Sequence, residues 1–478
     1  MSENTRITTS QIQKNIFLSL FVQIVSLLIS VLLNLIVPKF IDELQYAYWQ
    51  MFVLYIGYVG VLHFGLLDGI VLRYSQYDYE QLDKERIRSQ FKILLFSTGV
   101  MSVLGIVVAS LFLPVITKTV VILVSIGIVT KNFLTYNSYS FQITNRINKY
   151  AVLTITQRVT QGVIVAAALI LGGGRFEWFC IAELLGDVVA NALGCIFNKG
   201  MYFGKSIPFK DALKEWKINV GSGILLLLAN WSAMLLVGSA KMVVQWKWDE
   251  FTFGKVAFAF SISNLFLVFI NAISVVLFPS LKRMEEDKLP TLYGQIRGII
   301  SPLLFIAMLA YFPGAWLLNM FMPNYSASLV YLGTLLPIII YSSKVSLLTN
   351  NYLKAYRKEK FMLIVNAISI AVAFVSFAVC AYVFNSLTAV LVCTVGAIML
   401  NSVLSEIVVM KTIKANFIGD FIVEFIMTAA FIVIANTLPL WWACGAYALA
   451  LLAYLVYNGK RLTPIFNRVK DILRRKTK

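Results

Sequence analysis

The chain has 478 residues, of which 59% are hydrophobic and only 13% are charged, and its mean hydropathy is +0.80. A soluble domain carries about 25% charged residues, so this composition excludes a soluble globular protein. Apolar runs of about 20 residues recur along the whole length, which predicts a polytopic helical membrane protein, whereas a membrane β-barrel would show short alternating segments. The net charge of +18 does not indicate nucleic-acid binding, because the cations fall in alternate loops.

Fourteen apolar segments follow one another along the chain, and each is long enough to cross a bilayer as a helix. Their approximate bounds are 15–37, 48–72, 93–113, 119–141, 152–171, 177–197, 218–240, 253–277, 298–320, 329–351, 361–383, 388–410, 418–437 and 441–458. The first follows a polar N-terminus with no small-residue cleavage site, so we expect a retained helix rather than a signal peptide. The predicted fold class is therefore an all-α polytopic membrane protein with about fourteen transmembrane helices.

The distribution of lysine and arginine predicts the orientation of the chain. When the N-terminus is placed inside, most of the 41 Lys and Arg residues fall in inner segments and six lie in outer loops. Such a positive-inside bias predicts cytoplasmic N- and C-termini. The basic tail, residues 460–478, is expected to lie along anionic lipid headgroups.

A weak internal echo predicts that the chain is built from two similar halves. Residues 38–55 precede the second span and residues 240–261 precede the eighth, and both contain a charged, aromatic outer loop. Six spans separate them, so the halves insert in the same orientation and are related by a pseudo-two-fold axis along the membrane normal. The predicted domains are an N-terminal lobe (1–200), an inter-lobe interfacial helix (201–217), a C-terminal lobe (218–410), and two extra spans with a basic tail (411–478).

Three cations, Lys131, Arg158 and Lys344, lie inside apolar segments. An unpaired cation at the bilayer centre costs about 2.5–3.5 kcal/mol on insertion scales, so such residues face a wet cavity or an acidic partner. Polar residues recur beside them at the helical period, and the eighth segment carries a similar stripe. The four stripes are Lys131–Thr135–Ser138–Gln142, Thr154–Arg158–Gln161, Asn264–Asn271–Ser274 and Tyr341–Lys344–Asn351. We expect them to line one cavity, with buried ion pairs and interhelical hydrogen bonds as the alternatives.

Three acids could pair with these cations: Asp68, Glu183 and Asp187. Asp187 lies near mid-span and is the expected partner. Asp68 and Arg73 approach the inner interface, where gating, structural pairing and substrate contact stay open. His63, the only histidine, is a candidate for proton coupling because imidazole titrates near neutrality, and a hydrogen-bonded structural role is the alternative.

Two stretches resemble segments of a known family. The first, which closes the second span, is FGLLDGIVLRYSQ (64–76), and the second, which forms the eighth span, is FGKVAFAFSISNLFLVFINAISVVLFPSLKR (253–283). Both resemble bacterial polysaccharide exporters of the O-antigen flippase type, within the multidrug/oligosaccharidyl-lipid/polysaccharide (MOP) exporter superfamily. The resemblance covers about 15–410 and implies two six-helix lobes around a central cavity, working by alternating access.

The resemblance implies movement of an undecaprenyl-diphosphate-linked oligosaccharide, such as an O-antigen, capsule or exopolysaccharide repeat unit, from the inner to the outer leaflet of the bacterial plasma membrane. Cations in a wet cleft would offset the lost hydration of the diphosphate. The predicted substrate-binding residues are Lys131, Arg158, Lys344, Asn264, Asn271 and Tyr341. No enzyme activity, cofactor, metal or nucleic-acid partner is expected, apart from coupling to H⁺ or Na⁺; membrane lipids and other polysaccharide-assembly proteins are candidate partners.

Two other functions compete with this interpretation. A drug/cation antiporter of the same superfamily relies on an acidic residue in its first helix, and the first span here has none. A membrane-embedded glycosyltransferase or polymerase could use Asp42 and Glu43 as a carboxylate pair. Such enzymes need a sizeable outer loop to hold sugars, and the predicted outer loops are about a dozen residues at most.

Overall fold

The computed structural model describes the backbone of residues 9–75, 77–282 and 289–476. Side chains are described within these ranges except at 9–17, 19, 233, 268–282, 359 and 460–476. The described residues are almost entirely helical, with no β-strand among them. The chain divides into two compact units, Met1–Met234 and Leu235–Lys478. The boundary falls inside the helix that the sequence predicts to be the first of the C-terminal lobe. The four predicted domain ranges stay a prediction.

Among its described residues, the first unit contains nine helices and most of a tenth, which continues into the second unit. They are α1 Thr9–Val31, α2 Val37–Phe40, α3 Glu43–Ile56, α4 Leu66–Tyr74, α5 Lys84–Phe112, α6 Val115–Ile143, α7 Ile147–Ile170, α8 Phe176–Phe197, α9 Lys199–Tyr202 and α10 Phe209–Lys247. A π-helical turn, Leu32–Ile36, joins α1 to α2, and a 3₁₀ turn, Val59–His63, lies between α3 and α4.

The remaining helices belong to the second unit. They are α11 Glu250–Lys282, α12 Leu289–Leu309, α13 Tyr311–Phe321, α14 Ser326–Leu335, α15 Ile338–Ser343, α16 Asn350–Ala355, α17 Glu359–Ala378, α18 Leu387–Ile413, α19 Ile418–Thr437 and α20 Leu440–Lys476. Pro323–Tyr325 forms a 3₁₀ turn, and two π-helical turns, Lys344–Thr349 and Val379–Val383, follow α15 and α17.

The helices account for the predicted membrane spans. Within the described residues, ten helices are long and apolar enough to cross a membrane, and thirteen spans result if each of three bent pairs counts as one. These coincide with thirteen of the fourteen predicted segments, and the remaining segment, 253–277, lies within α11. The prediction of an all-α polytopic membrane protein is confirmed.

Large apolar side chains cover the outer faces of the helices. On α5, for example, Phe96 is 74% exposed and Phe112 is 75% exposed. Apolar surface of this kind suits hydrocarbon rather than water, and every backbone polar group of a helix is satisfied internally, as a bilayer requires. The exposed faces therefore fit contact with lipid.

The second span is broken in the middle. The straight parts Glu43–His63 and Leu66–Tyr74 meet at 57°. Between them Phe64 (φ 52°) and Gly65 (φ 83°) adopt left-handed backbone conformations, which end a right-handed helix and which glycine adopts without steric cost.

Glycines bring the second half of this span into direct contact with the backbone of α10. A Cβ on Gly69 would lie 1.9 Å from the backbone oxygen of Asn219, and a Cβ on Gly223 would lie 2.1 Å from the backbone oxygen of Gly65. Small residues four apart, such as Gly65 and Gly69, let membrane helices approach this closely. The contact fixes α4 against the start of α10.

Candidate functional site

A cavity of about 420 Å³ lies within the first unit. Its wall comes from α1 and the π-helical turn after it, from α3 and the turn after it, and from α6, α7 and α8. The lining residues are Ser30, Leu33, Asn34, Trp49, Gln50, Val53, Ile56, Gly57, Val59, Gly60, Lys131, Thr135, Arg158, Gln161 and Glu183. This volume lies within the range of small-ligand pockets, about 300–1,000 Å³.

Three of the lining residues are ionisable: Lys131, Arg158 and Glu183. Each lies near the middle of its helix, on α6, α7 and α8 respectively. The same helices add Thr135 and Gln161, which stand four and three residues after the two cations and therefore share their faces. Two of the four predicted stripes thus meet at one cavity.

Lys131 is held between two carboxylates. Its Nζ lies 2.7 Å from Glu183 Oε1 and 3.2 Å from Asp187 Oδ1. Asp187 is fully buried and also accepts hydrogen bonds from Gln157 Nε2 at 3.2 Å and Thr130 Oγ1 at 3.3 Å. Glu183 faces the cavity, whereas Asp187 lies behind it.

Arg158 has a different environment. Its Nη1 donates a 3.3 Å hydrogen bond to Gln161 Oε1, one turn further along α7. Within the described part of the chain, no carboxylate forms an ion pair with its guanidinium. Arg158 is therefore the cation of this cavity that is available to an anion without displacing an acid.

The neutral part of the wall also offers polar groups. Trp49 lines the cavity, and its buried indole N–H has no hydrogen-bond partner among the described residues. Asn34 lies in the π-helical turn and donates its side-chain amide to the backbone oxygen of Ser30 at 2.8 Å. π-helical turns are frequent at functional sites, and hydropathy gives no signal for them.

Lys344 lies in the second unit, in a buried network of five charges. Its Nζ is 2.7 Å from both Glu406 Oε2 and Glu424 Oε2, and its side chain is 1% exposed. Arg297 pairs with Glu406 through Nε, with Asp420 at 2.8 Å and with Glu424 at 3.2 Å. The two cations thus share three carboxylates.

The other predicted substrate-binding residues are in different surroundings. Tyr341 is buried in the second unit, and its hydroxyl lies 2.7 Å from Thr428 Oγ1, beside the same network. Asn264 is exposed on α11. Asn271 lies on α11 in a stretch whose side chains fall outside the described residues. The structure therefore places Lys131 and Arg158 at one cavity of the first unit, whereas Lys344, Tyr341 and Asn264 belong to the second unit.

His63 and Asp68 lie at the break in the second span. His63 Nδ1 accepts a hydrogen bond from the backbone N–H of Gly65 at 3.1 Å, and its Nε2 lies 3.7 Å from Asp68 Oδ2. At the other end of α4, Arg73 Nη1 lies 2.5 Å from Glu215 Oε1, on α10. Neither His63, Asp68 nor Arg73 lines the cavity.

Sequence reasoning missed the role of α19. Glu424 lies inside the apolar segment 418–437, and an acid in such a segment indicates a buried partner. That signal could have identified Glu424 as a counter-ion for Lys344. The partner's identity could not be read from the sequence, since the two residues stand 80 positions apart.

No family model matches the sequence, and no curated protein matches it by sequence. Among solved structures, the lipid II flippase MurJ in an inward closed conformation has a TM-score of 0.69 at 12% identity, covering 95% of this chain and all of that one. An inward-facing multidrug resistance MATE family transporter of the MOP superfamily scores 0.60 at 15% identity, covering 82% and 98%. A MATE in the straight conformation scores 0.56 at 16% identity, covering 84% and 96%.

These neighbours are flippases and transporters rather than enzymes, and the similarity extends over most of each chain. Among the described residues, up to thirteen candidate spans, an apolar outer surface and a polar cavity within the first unit agree with that likeness. The chain is therefore a multi-pass membrane protein with the fold shared by the lipid II flippase and MATE transporters of the MOP superfamily.

Proposed function

We propose that this chain is a flippase that moves an undecaprenyl-diphosphate-linked oligosaccharide from the inner to the outer leaflet of a bacterial plasma membrane by alternating access. The observation that carries the proposal is the cavity, where Arg158 and Lys131 meet near the middle of their helices. A diphosphate must lose hydration to cross hydrocarbon, and a guanidinium in a wet cleft offsets that loss with charge-assisted hydrogen bonds.

The size of the cavity fits the diphosphate and the nearest sugar rather than the whole substrate. A volume of about 420 Å³ holds a small ligand. The lipid tail stays in the bilayer throughout, and further sugars need the cleft to open. The fold likeness to a lipid II flippase supports a lipid-linked substrate.

A genetic experiment tests the proposal. In a strain that lacks the chromosomal copy, Arg158→Ala should make the unflipped lipid-linked oligosaccharide accumulate, and mass spectrometry of extracted lipids measures its total amount. Arg175→Ala is the matched control, because Arg175 pairs with Glu177 outside the cavity and its side chain is 76% exposed. Normal export by the Arg158 variant at normal membrane abundance would contradict the proposal.

The second candidate is a drug/cation antiporter. It is favoured by Glu183, which presents a carboxylate to the cavity, and by the MATE fold likeness. Arg158 disfavours it, because a guanidinium that has no ion-pair partner among the described residues repels a cationic substrate. Efflux of ethidium from cells separates the two candidates: the antiporter predicts efflux that is lost in Glu183→Gln, and the flippase predicts none.

A further inference from the structure

Two cysteine thiols of the second unit lie in contact with each other. Cys380 Sγ and Cys393 Sγ are 3.4 Å apart, and both cysteines are free in this structure. Cys380 belongs to the π-helical turn Val379–Val383, and Cys393 lies in the second turn of α18. Neither residue lines the cavity or belongs to the charged network around Lys344, so the proposed function does not involve this pair.

A tight loop holds the two elements together at this end. Residues 384–386 join the π-helical turn to α18, and the backbone N–H of Ser386 donates a 3.0 Å hydrogen bond to the backbone oxygen of Cys380. The side chain of Ser386 also caps α18, because its Oγ accepts a 3.2 Å hydrogen bond from the backbone N–H of Ala389. The backbone of Cys380 is thus tied to the residue that precedes α18, which places its thiol beside that helix.

We propose that Cys380 and Cys393 form a reversible disulfide, so that their contact is a redox-sensitive crosslink between the π-helical turn and α18. A disulfide needs its sulfurs at about 2.0 Å. From the observed 3.4 Å, closing the gap takes a movement of about 1.4 Å, which is less than the roughly 3 Å that a thiol moves between two staggered rotamers. A weak hydrogen bond between two permanently reduced thiols is the alternative.

The pair lies toward the end of the hairpin where an oxidant is expected. The distribution of lysine and arginine predicts that residues 384–386 form an outer loop, since Lys360 and Lys411 lie at the opposite ends of α17 and α18. Thiols outside the plasma membrane meet an oxidising environment, whereas cytoplasmic thiols are kept reduced. Cys393 is half-buried and Cys380 is buried, so an oxidant reaches Cys393 first.

The reaction is a thiol–disulfide exchange with an external disulfide as the oxidant. The thiolate of Cys393 attacks one sulfur of that disulfide, forms a mixed disulfide and releases the first thiolate. The thiolate of Cys380 then attacks Cys393 Sγ and releases the second. One S–S bond is broken and one is formed. The two protons of the cysteine thiols pass to the released thiolates, and the oxidant gains the two electrons that the cysteines lose.

Thiol labelling of the full chain in lipid nanodiscs tests the inference. The protein is reduced, freed of reductant and treated with a slight excess of dithiodipyridine, a small disulfide that leaves a pyridyl group on an isolated thiol. N-ethylmaleimide in SDS then labels every remaining thiol. Of the five cysteines, three should carry a label and the intact mass should lack two hydrogens, because the pair closes before both members are capped. Five labelled cysteines would overturn the proposal.

Two serine variants assign the bond. Cys393→Ser should carry a label on all four of its remaining cysteines, since Cys380 then has no partner thiol. Cys195→Ser is the matched control, because Cys195 is also half-buried but lies on α8 in the first unit. It should carry a label on two cysteines and keep the disulfide. Loss of the disulfide in Cys195→Ser would show that the bond uses Cys195, and would overturn the assignment.

Reversibility is read from the same measurement. Dithiothreitol should return the oxidised wild type to five free thiols, and a pair that stayed unlabelled after reduction would contradict a disulfide. The count on the wild type decides the question even if a variant fails to fold. Because no step measures export, the result is independent of whether the chain is a flippase.

Discussion

At the scale of single residues, the two cations of the cavity differ in what surrounds them. Lys131 is held by two carboxylates, whereas Arg158 has only a glutamine as its polar partner within the described residues. A cationic side chain that is paired with carboxylates in the empty site must give up those contacts to bind an anionic substrate. A cationic side chain without such carboxylates binds the anion without this loss. Arg158 should therefore contribute more to the affinity for an anion than Lys131.

The geometry of the guanidinium gives the first prediction at this scale. Arg158→Lys keeps the charge but loses the planar pair of donors that binds a phosphate through two hydrogen bonds. If bidentate contact matters, the lysine variant should export as poorly as Arg158→Ala, and if charge alone suffices, it should be intermediate. We expect the first result, read from the amount of inner-leaflet glycolipid at equal membrane abundance. Wild-type export by Arg158→Lys would exclude bidentate recognition.

Gly69 provides a second prediction, about packing. A methyl group there would overlap the backbone oxygen of Asn219, which cannot move without shifting α10. Gly69→Ala should lower stability by at least the ~1–3 kcal/mol typical of overpacking, measured as the melting temperature of the purified protein in detergent. Gly99→Ala on α5 is the control, since a Cβ there meets nothing within 4 Å, and it should be neutral or stabilising. Equal melting temperatures for the two variants would show that the helices do not touch at Gly69.

At the scale of elements, α19 is an integral part of the second unit rather than an appendage. Its residues Asp420 and Glu424 supply two of the three carboxylates that surround Arg297 and Lys344. Without α19, the two cations would face Glu406 alone. Of the two extra spans, the one formed by α19 therefore supplies counter-charges that the preceding helices need.

A double-mutant cycle tests this role of α19. Removing one partner of a buried ion pair costs about 3–5 kcal/mol when it leaves a charge uncompensated, so Lys344→Met, which leaves three carboxylates around Arg297 alone, should destabilise strongly. Glu424→Gln should cost less, because Lys344 keeps Glu406. The double variant keeps the wild-type excess of one carboxylate, so its loss should be smaller than the sum of the two by about 1–3 kcal/mol. Thermal unfolding in detergent gives the stabilities. The exposed pair Lys214–Asp211 is the control, and its coupling should stay below about 1 kcal/mol.

Strictly additive losses would contradict a direct Lys344–Glu424 pair. The same variants also address the predicted substrate role of Lys344. If its role is structural, the double variant should regain export along with stability. If Lys344 binds substrate, export should stay lost although stability returns.

At the scale of the whole molecule, the hydropathy and charge patterns of the sequence predicted most of the membrane spans. Apolar run length predicts each span because a helix must satisfy its backbone inside hydrocarbon, and the structure agrees for nearly every segment. The 3.6-residue period also placed Lys131 with Thr135 and Arg158 with Gln161. Such patterns are local to one helix, so one sequence suffices to read them.

Features that depend on contacts between distant helices were not readable in the same way. At the break, Gly65 lies against Gly223 on α10, and neither glycine alone indicates the other. Lys344 and Lys131 share the same apolar context and both contact acids, but the acids of Lys344 come from α18 and α19 and those of Lys131 come from α8. The 3.6-residue period predicts on which face of its own helix a residue lies. It does not predict which other helix packs against that face.

The orientation of the whole chain is the last prediction, and the direction of transport depends on it. The excess of lysine and arginine in alternate loops predicts that Gly174 lies outside and that Gly204 and the C-terminus lie inside. Alkaline phosphatase, active only after export, should therefore be active when fused after Gly174 and inactive after Gly204. Green fluorescent protein, which fluoresces only when it folds in the cytoplasm, should give the reverse result and should also fluoresce when fused to the C-terminus. If the reporters gave the opposite result at all three positions, the chain would have the inverted orientation and the substrate would come from the other leaflet. If the reporters gave the same result at Gly174 and Gly204, α8 would not cross the membrane.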